Sequence, residues 1–236
     1  MARPHALSAQ LVLLASCLAA QQQVEAPKPV TALRAGTWKY RMNLLVGDQT
    51  VSMTRSTTIS ESKDGWTVVD TIVTPGGQST DSATLDKTTL VPRRRTLKQG
   101  QNTTSVEFAG NKATGTMDTN GKTTPLAVDL GGSLFADGPG APQEIACLPL
   151  AEKYNTTFRN FDVQKQKSKV MQLTVVGSER VTVPAGTFDA FKVQLSSEGD
   201  ASRMTFWIAK KSPTVVKMAS SAPGLRGATV TSELQP

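Results

Sequence analysis

The sequence predicts a mostly β protein in which a large curved antiparallel sheet, a half-barrel or open barrel, carries one short helical insert. Apolar and polar residues alternate with a period of two from Gly36 onward. Turn-forming pairs of Gly, Asn, Asp and Pro recur at short intervals. The 236 residues suffice for one domain with a buried core. We therefore expect a single β-rich domain over residues 35–236, with an insert at 130–153.

The N-terminus has the pattern of an export signal over residues 1–17. Arg3 gives the positive start, an apolar run follows, and Leu14-Ala15-Ser16-Cys17 resembles the lipobox of bacterial lipoproteins. This pattern predicts lipidation at Cys17; an ordinary signal cleaved after Ala19 or Ala20 is the alternative. Residues 18–34, rich in Gln and Pro, are predicted to be a tether.

Both alternatives predict an exported protein, in the periplasm or on the periplasmic face of the outer membrane. Lipidation would anchor it there, and Leu18 after the Cys favours the outer membrane by resemblance to enterobacterial sorting rules. Either way Cys17 is lost or capped, so Cys147 cannot form an intramolecular disulfide. Apolar neighbours predict that Cys147 is a buried, inert thiol.

The first half of the domain reads as a meander of strands. In residues 38–44 the side chains of Trp38, Tyr40, Met42 and Leu44 share one face. Further strands follow around residues 51–59 and 66–72. Asn120-Gly121 is the strongest hairpin signal, because a type I′ turn needs positive φ at both central residues.

The insert at 130–153 interrupts the strands with Gly and Pro. A short helix is predicted over Gln143–Lys153, although Pro149 limits it. Strands then resume, and Val183-Pro184-Ala185-Gly186 predicts a hairpin. A sheet of a dozen or so strands must curl toward a barrel or fold into a sandwich.

Composition excludes several chemistries. The one histidine, His5, lies in the export signal, so a mature chain has no Ser-His or Cys-His machinery and no His-ligated metal. The carboxylates are scattered, and we expect no catalytic residue, no metal, no cofactor and no enzymatic activity. Asp70 shares the parity of Trp66 and Val68, and an inward carboxylate there would need a partner.

The formal net charge of +7 favours an anionic membrane surface as a partner. Nucleic acid is not expected, because the aromatic residues follow the alternating apolar face rather than a basic groove. Arg93-Arg94-Arg95 is interpreted as a solvated strand end. Lys165, Lys167 and Lys169 are either edge guards or a patch that faces lipid headgroups.

The large apolar side chains on the alternating face form either core or the lining of a pocket. A curved sheet this wide encloses more volume than its own side chains fill unless helices plug it. The residues expected to line a pocket are Trp38, Tyr40, Met42, Trp66 and Phe206, with Leu134 and Phe135 in a mobile cover.

The C-terminal half resembles a known group of proteins. Residues 181–193, 205–210 and 215–218, with sequences VTVPAGTFDAFKV, TFWIAK and VVKM, resemble an uncharacterised bacterial envelope family. That family is similar to the lipoprotein-localisation superfamily of LolA and LolB. The resemblance implies an exported half-barrel around an apolar cavity in which acyl chains can lie.

Together these observations predict an envelope lipoprotein or periplasmic protein that binds an apolar or acylated ligand, such as a lipid, in the concave face without catalysis. The alternative is a structural or assembly module whose sheet edges recruit an envelope protein partner.

Overall fold

The computed structural model describes residues 24–197, 203–222 and 227–236. They form fourteen strands and one helix. In chain order these are β1 (Gly36–Val46), β2 (Gln49–Glu61), β3 (Gly65–Thr74), β4 (Gly77–Asp86), β5 (Pro92–Gln99), β6 (Asn102–Ala109), β7 (Lys112–Thr119), β8 (Lys122–Asp129), α1 (Ala141–Ala146), β9 (Asn155–Asp162), β10 (Lys167–Val183), β11 (Gly186–Ser197), β12 (Arg203–Ala209), β13 (Val215–Ala222) and β14 (Ala228–Leu234).

All fourteen strands belong to one antiparallel sheet. The order is β8-β7-β6-β5-β4-β3-β2-β1-β14-β13-β12-β11-β10-β9. Every pair of hydrogen-bonded neighbours except β1 and β14 therefore consists of strands that follow each other in the chain. The sheet curves but does not close, because β8 and β9 are its two edges and do not pair. The predicted fold class is therefore confirmed.

Two predicted hairpins show why the chain turns where it does. Asn120 and Gly121 join β7 to β8 with φ of 52° and 78°, the left-handed values that a two-residue hairpin needs. Pro184 and Ala185 join β10 to β11. Because each strand reverses the chain, alternate turns lie at the same end of the sheet. The β1–β2 and β13–β14 turns share one end, which we call the upper end.

The insert enters the concave side of the sheet. Phe135 N donates to Arg159 O, and Leu134 forms an isolated parallel bridge with Arg159 of β9. The helix α1 then starts after Gly140, whose φ of 71° is left-handed, and carries Pro142 in its first turn, where no amide hydrogen is needed. It begins two residues before the predicted helix. It is also shorter, because Leu148 and Pro149 already lie beyond its end.

The structure corrects the expectation of a mobile cover. Leu134 and Phe135 are among the most buried side chains of the protein. Phe135 packs edge-on against Phe158 with ring centroids 5.6 Å apart, in the larger of two core clusters. Leu134 joins the smaller cluster, with Phe161, between β9 and the inner face of β6–β8. The insert therefore fills the lower half of the curved sheet.

The segment that precedes β1 is attached to the domain. The Val30 and Thr31 amides both donate to Cys147 O, and Leu33 is buried in the core. The later part of the predicted tether is thus packed rather than free. The export signal, Cys17 and residues 18–23 lie outside the described residues. In the part of the chain that the structure describes, no helix is long and apolar enough to cross a membrane.

Candidate functional site

A cavity remains in the upper half of the concave face, above α1. Its volume is about 290 Å3. The floor is formed by Ala141, Pro142 and Ile145 of the insert and helix. Its walls come from β1, β2 and β9–β14. The large apolar side chains among them are Met42, Met171, Leu195, Met204, Phe206, Met218 and Val230. The volume lies at the lower limit of ordinary ligand pockets, roughly 300–1,000 Å3.

Four methionines give this cavity an adaptable lining. Ser232 of β14 pairs with Met42 of β1 on one side and with Met218 of β13 on the other. Met204 lies two residues before Phe206 on the same face of β12. Met171 closes the far wall from β10. Because Met has flexible unbranched side chains, such a surface can repack around ligands of differing shape.

The cavity unites only part of the predicted site. Met42 and Phe206 line it. Tyr40 and Trp66 are buried in the core, and Trp38 packs against that core from the side. These three side chains lie on the concave face, as Met42 and Phe206 do. They are farther from the upper end of the sheet and are covered by the insert.

Tyr40 ties the helix to the sheet beneath the cavity. Its hydroxyl donates to Val215 O at 3.0 Å and accepts from Gln143 Nε2 at 3.2 Å. Burial raises the pKa of Tyr40 above its usual range, so the phenol stays protonated and keeps donating. The floor of the cavity is thus held by hydrogen bonds as well as by packing.

Asp70 is inward-facing and has the partner that the sequence required. Arg55 Nη2 forms an ion pair with its carboxylate, and Thr57 Oγ1 and Gly140 N donate to it. Arg55 also lines the cavity, where its Nη1 lies 3.7 Å from Met218 Sδ. One guanidinium therefore bridges the charged core and the apolar cavity.

A second buried cation extends these charges across the sheet. Asp81 of β4 lies directly opposite Asp70. Arg95 of β5 forms two ion pairs: its Nη2 lies 2.8 Å from Asp81 Oδ2, and its Nη1 lies 3.3 Å from Oδ2 of Asp137 in the insert. Burial raises the pKa of Asp81 and of Asp137, and Arg95 opposes both shifts. We call Arg55, Asp70, Asp81 and Arg95 the charge row.

The charge row corrects the interpretation of Arg93-Arg94-Arg95 as a solvated strand end. A register shift between β4 and β5 pairs Thr84 with Arg94 but Leu85 with Pro92, so Arg93 falls outside the ladder. Arg93 is exposed and pairs with Asp86, whereas Arg95 turns inward. Strict alternation over the three arginines does not anticipate this bulge.

Glu144 of α1 is fully buried, and it forms no ion pair with a cation among the residues that the structure describes. Its Oε2 accepts from Ala136 N at 3.2 Å, and Oε1 has no hydrogen-bond partner among the described residues. Burial, with further contributions from Asp137 and Asp70, raises its pKa well above the ordinary value. No group of three or more His, Cys, Asp or Glu in the described ranges is placed to hold a metal ion.

A polar cavity adjoins the apolar one. Its volume is about 260 Å3, and the two share Gly138, Asn160 and Lys169 in their linings. Arg95, Asp137 and Asp162 also line the polar cavity. Lys169 of β10 is therefore placed where apolar and polar surfaces meet, while Lys165 lies in the preceding turn and pairs with Asp162 at 3.6 Å.

A larger cleft of about 710 Å3 lies at the lower end, between residues 24–29 and the loops around Thr88, Asn111 and Ser133. It shares no lining residue with the apolar cavity, and no residue of the charge row lines it. Because only loop residues and the N-terminal segment form it, we do not assign the site there.

Cys147 is buried, as predicted, and we expect it to resist alkylation. Burial raises the pKa of its thiol to about 11, so almost none is thiolate at neutral pH. In the folded protein at pH 8, peptide mapping after iodoacetamide treatment should find Cys147 unmodified, whereas urea should make it reactive. Rapid labelling without denaturant would contradict this placement.

The fold is similar to that of a solved structure of low sequence identity, and two further structures are matched with lower TM-scores. A β-barrel-like protein of the DUF1849 family from Brucella abortus has a TM-score of 0.50 and 11% identity, and the match covers 86% of this chain and 97% of that one. A DUF1329 family protein from Desulfovibrio piger is 10% identical with a TM-score of 0.34, covering 84% and 82%. A protein with a YmcC-like fold from Bacteroides fragilis, predicted to be exported, is 11% identical with a TM-score of 0.33, covering 88% and 98%.

No curated protein matches the sequence significantly. A family model described as a protein of unknown function, DUF3108, matches residues 37–231, which include every residue that lines the apolar cavity except Ser232. The chain therefore belongs to the DUF3108 family.

Proposed function

We propose that this protein is an exported envelope protein that binds one apolar or acyl chain in the cavity above α1, without catalysing a reaction on it. The observation that carries the proposal is the methionine-rich cavity that remains after the insert has filled the lower half of the sheet. The resemblance to LolA and LolB, and a lipid anchor at Cys17, belong to the same proposal.

The size of the cavity limits what it holds. At roughly 30 Å3 for a group the size of a water molecule or methylene, 290 Å3 accommodates about ten such groups. That suits one chain of medium length, or the end of a longer one, rather than a pair of chains. Burial of the chain supplies affinity at about 25 cal/mol per Å2 of apolar surface.

The upper end also offers apolar surface outside the cavity. Val51 and Met204 lie there and are 39% and 37% exposed. Val51 pairs with Leu44 on the face that carries Met42, so the apolar lining continues toward the β1–β2 turn. This continuity supports entry of the chain from the upper end.

Recruitment of a partner through the sheet edges has less support. The insert already pairs with β9 through Leu134 and the Phe135 amide. The other edge, β8, carries Pro125, which lacks an amide hydrogen to donate to an added strand. Both edges are thus partly blocked.

A filled cavity should lose its ligand. Val230 lines the cavity from β14, so Val230→Phe places an aromatic ring in the space of the chain. We expect decan-1-ol, a neutral ten-carbon chain, to bind the wild-type protein and to bind this variant about tenfold or more weakly by isothermal titration calorimetry.

The matched control is Thr229→Phe, one residue earlier on β14 and on the opposite face, where its partner Leu45 is exposed. This control should bind decan-1-ol as the wild type does, and both variants should keep the wild-type circular dichroism spectrum. Absence of binding to the wild type, or equal binding by both variants, would count against the proposed function.

A further inference from the structure

The charged side chains that line the apolar cavity are all cationic. Among the described residues around it, Arg55 and Lys169 carry charge, and no carboxylate belongs to the lining. A purely apolar ligand does not require cations in its binding site, because burying them away from water is costly. Asp70 already pairs with Arg55, so the positive charge that Lys169 adds to the lining is what favours a ligand with an anionic end.

Arg55 is positioned to interact with such an end. Its Nη2 is held by Asp70, which fixes the guanidinium at the cavity wall. The Nη1 of the same guanidinium lies 3.7 Å from Met218 Sδ, which also lines the cavity. A thioether sulfur is a weak acceptor, and an oxygen atom of a charged ligand would accept a stronger hydrogen bond from this donor.

Lys169 marks where the charged end would leave the apolar cavity. It lines both the apolar and the polar cavity, together with Asn160 and Gly138. Lys169 already interacts with another group of the protein, so its role here is to supply positive charge rather than a vacant donor. Of the four lining methionines, Met42, Met204 and Met218 lie on β1, β12 and β13, and Met171 follows Lys169 by two residues on β10.

We propose that the ligand is a single-chain anionic amphiphile, with its chain among the methionines and its anionic head between Arg55 and Lys169. This inference rests on the proposed function and specifies its ligand class. A fatty-acid carboxylate and the phosphate of a one-chain lysophospholipid share the required chemistry. The small cavity and the absence of acids from its described lining disfavour a two-chain lipid and a cationic amphiphile, respectively.

The test compares heads on one ten-carbon chain. Decanoate is expected to bind about tenfold or more tightly than decyltrimethylammonium, and more tightly than decan-1-ol, since hydrogen bonds to charged groups are among the strongest. Decanoyl lysophosphatidate, which carries a phosphate on the same chain, is compared with decanoate. The ligand that binds more tightly shows whether the site prefers a phosphate or a carboxylate. Raising the salt concentration should weaken decanoate binding and leave decan-1-ol binding unchanged.

Lys169→Gln tests the head site directly. We expect about tenfold weaker decanoate binding and a correspondingly smaller ratio of decanoate to decan-1-ol affinity, and a wild-type circular dichroism spectrum shows that the variant is folded. The matched control is Lys167→Gln, an exposed position on the same face of β10 and outside the cavity, which should change neither affinity.

Different outcomes separate the two proposals. If decan-1-ol and decanoate bind equally, without salt dependence, and the two lysine variants behave alike, the anionic head is wrong while the apolar cavity stands. If no ten-carbon chain binds, the proposed function itself fails.

Discussion

Arg95→Met is expected to destabilise the protein by about 3–5 kcal/mol, the cost of removing one partner from a buried ion pair. Asp137 is 1% exposed, and Arg95 is the cation that it contacts; Asp81 is also bound by Arg95. The methionine keeps most of the arginine stem in place, so the loss comes mainly from two carboxylates left without their cation. Chemical denaturation followed by tryptophan fluorescence measures the free energy of unfolding.

Arg94→Met is the matched control, because Arg94 is the adjacent arginine on β5 and is exposed. Its free energy of unfolding should lie within about 0.5 kcal/mol of the wild type, as for most surface substitutions. The deficit of Arg95→Met should shrink as the pH falls and Asp81 and Asp137 become protonated. A deficit below about 1 kcal/mol at neutral pH would show that the charge row is not held by Arg95.

The sheet could be predicted because its signals are local. Alternation through Trp38, Tyr40 and Met42 is a property of consecutive residues, and so is the turn chemistry of Asn120-Gly121. Each strand except β8 pairs with the next one along the chain, and the pairing of β1 with β14 joins the two halves of the sheet. A meander of this kind leaves few alternatives for the order of the strands.

The candidate site was only partly predictable, because it depends on where the insert packs. The parity of Met42 and Phe206 places them on the concave face, as it does for Tyr40 and Trp66. Which of these side chains meets open space depends on α1, whose six residues cover the lower ones. An alternating pattern predicts which face of the sheet a side chain lies on. It does not predict which side chains on that face are covered by α1.

The charges of the site were harder still to predict. Asp70 gave a signal, since its parity matched apolar neighbours and required a partner. Arg55 could have been found as that partner, being the cation nearest to it on the preceding strand. The inward position of Arg95 could not be predicted, because a bulge at Arg93 reverses the alternation of the strand. Its partner Asp137 could not be predicted either, because Asp137 lies in a segment that has no strand pattern.

Glu144→Gln is expected to remove a pH dependence of stability that the wild-type protein has. Burial raises the pKa of Glu144 in the folded protein above its value in the unfolded chain. Its protonated form is therefore favoured by folding. The associated stability is complete below the unfolded pKa, near 4.3, and is lost as the pH rises toward the folded pKa.

Within that window one carboxyl with this shift lowers the free energy of unfolding by up to about 1.4 kcal/mol per pH unit. Glutamine is uncharged at every pH, and its side-chain oxygen can accept from Ala136 N as Glu144 Oε2 does. The variant should therefore be more stable than the wild type at pH 8, and the advantage should disappear toward pH 4. Asp81 and Asp137 titrate in both proteins, so the difference between the two curves reports mainly on Glu144 and on its coupling to Asp137. Parallel curves of unfolding free energy against pH would mean that Glu144 titrates alike in folded and unfolded chains, which burial without a cation should prevent.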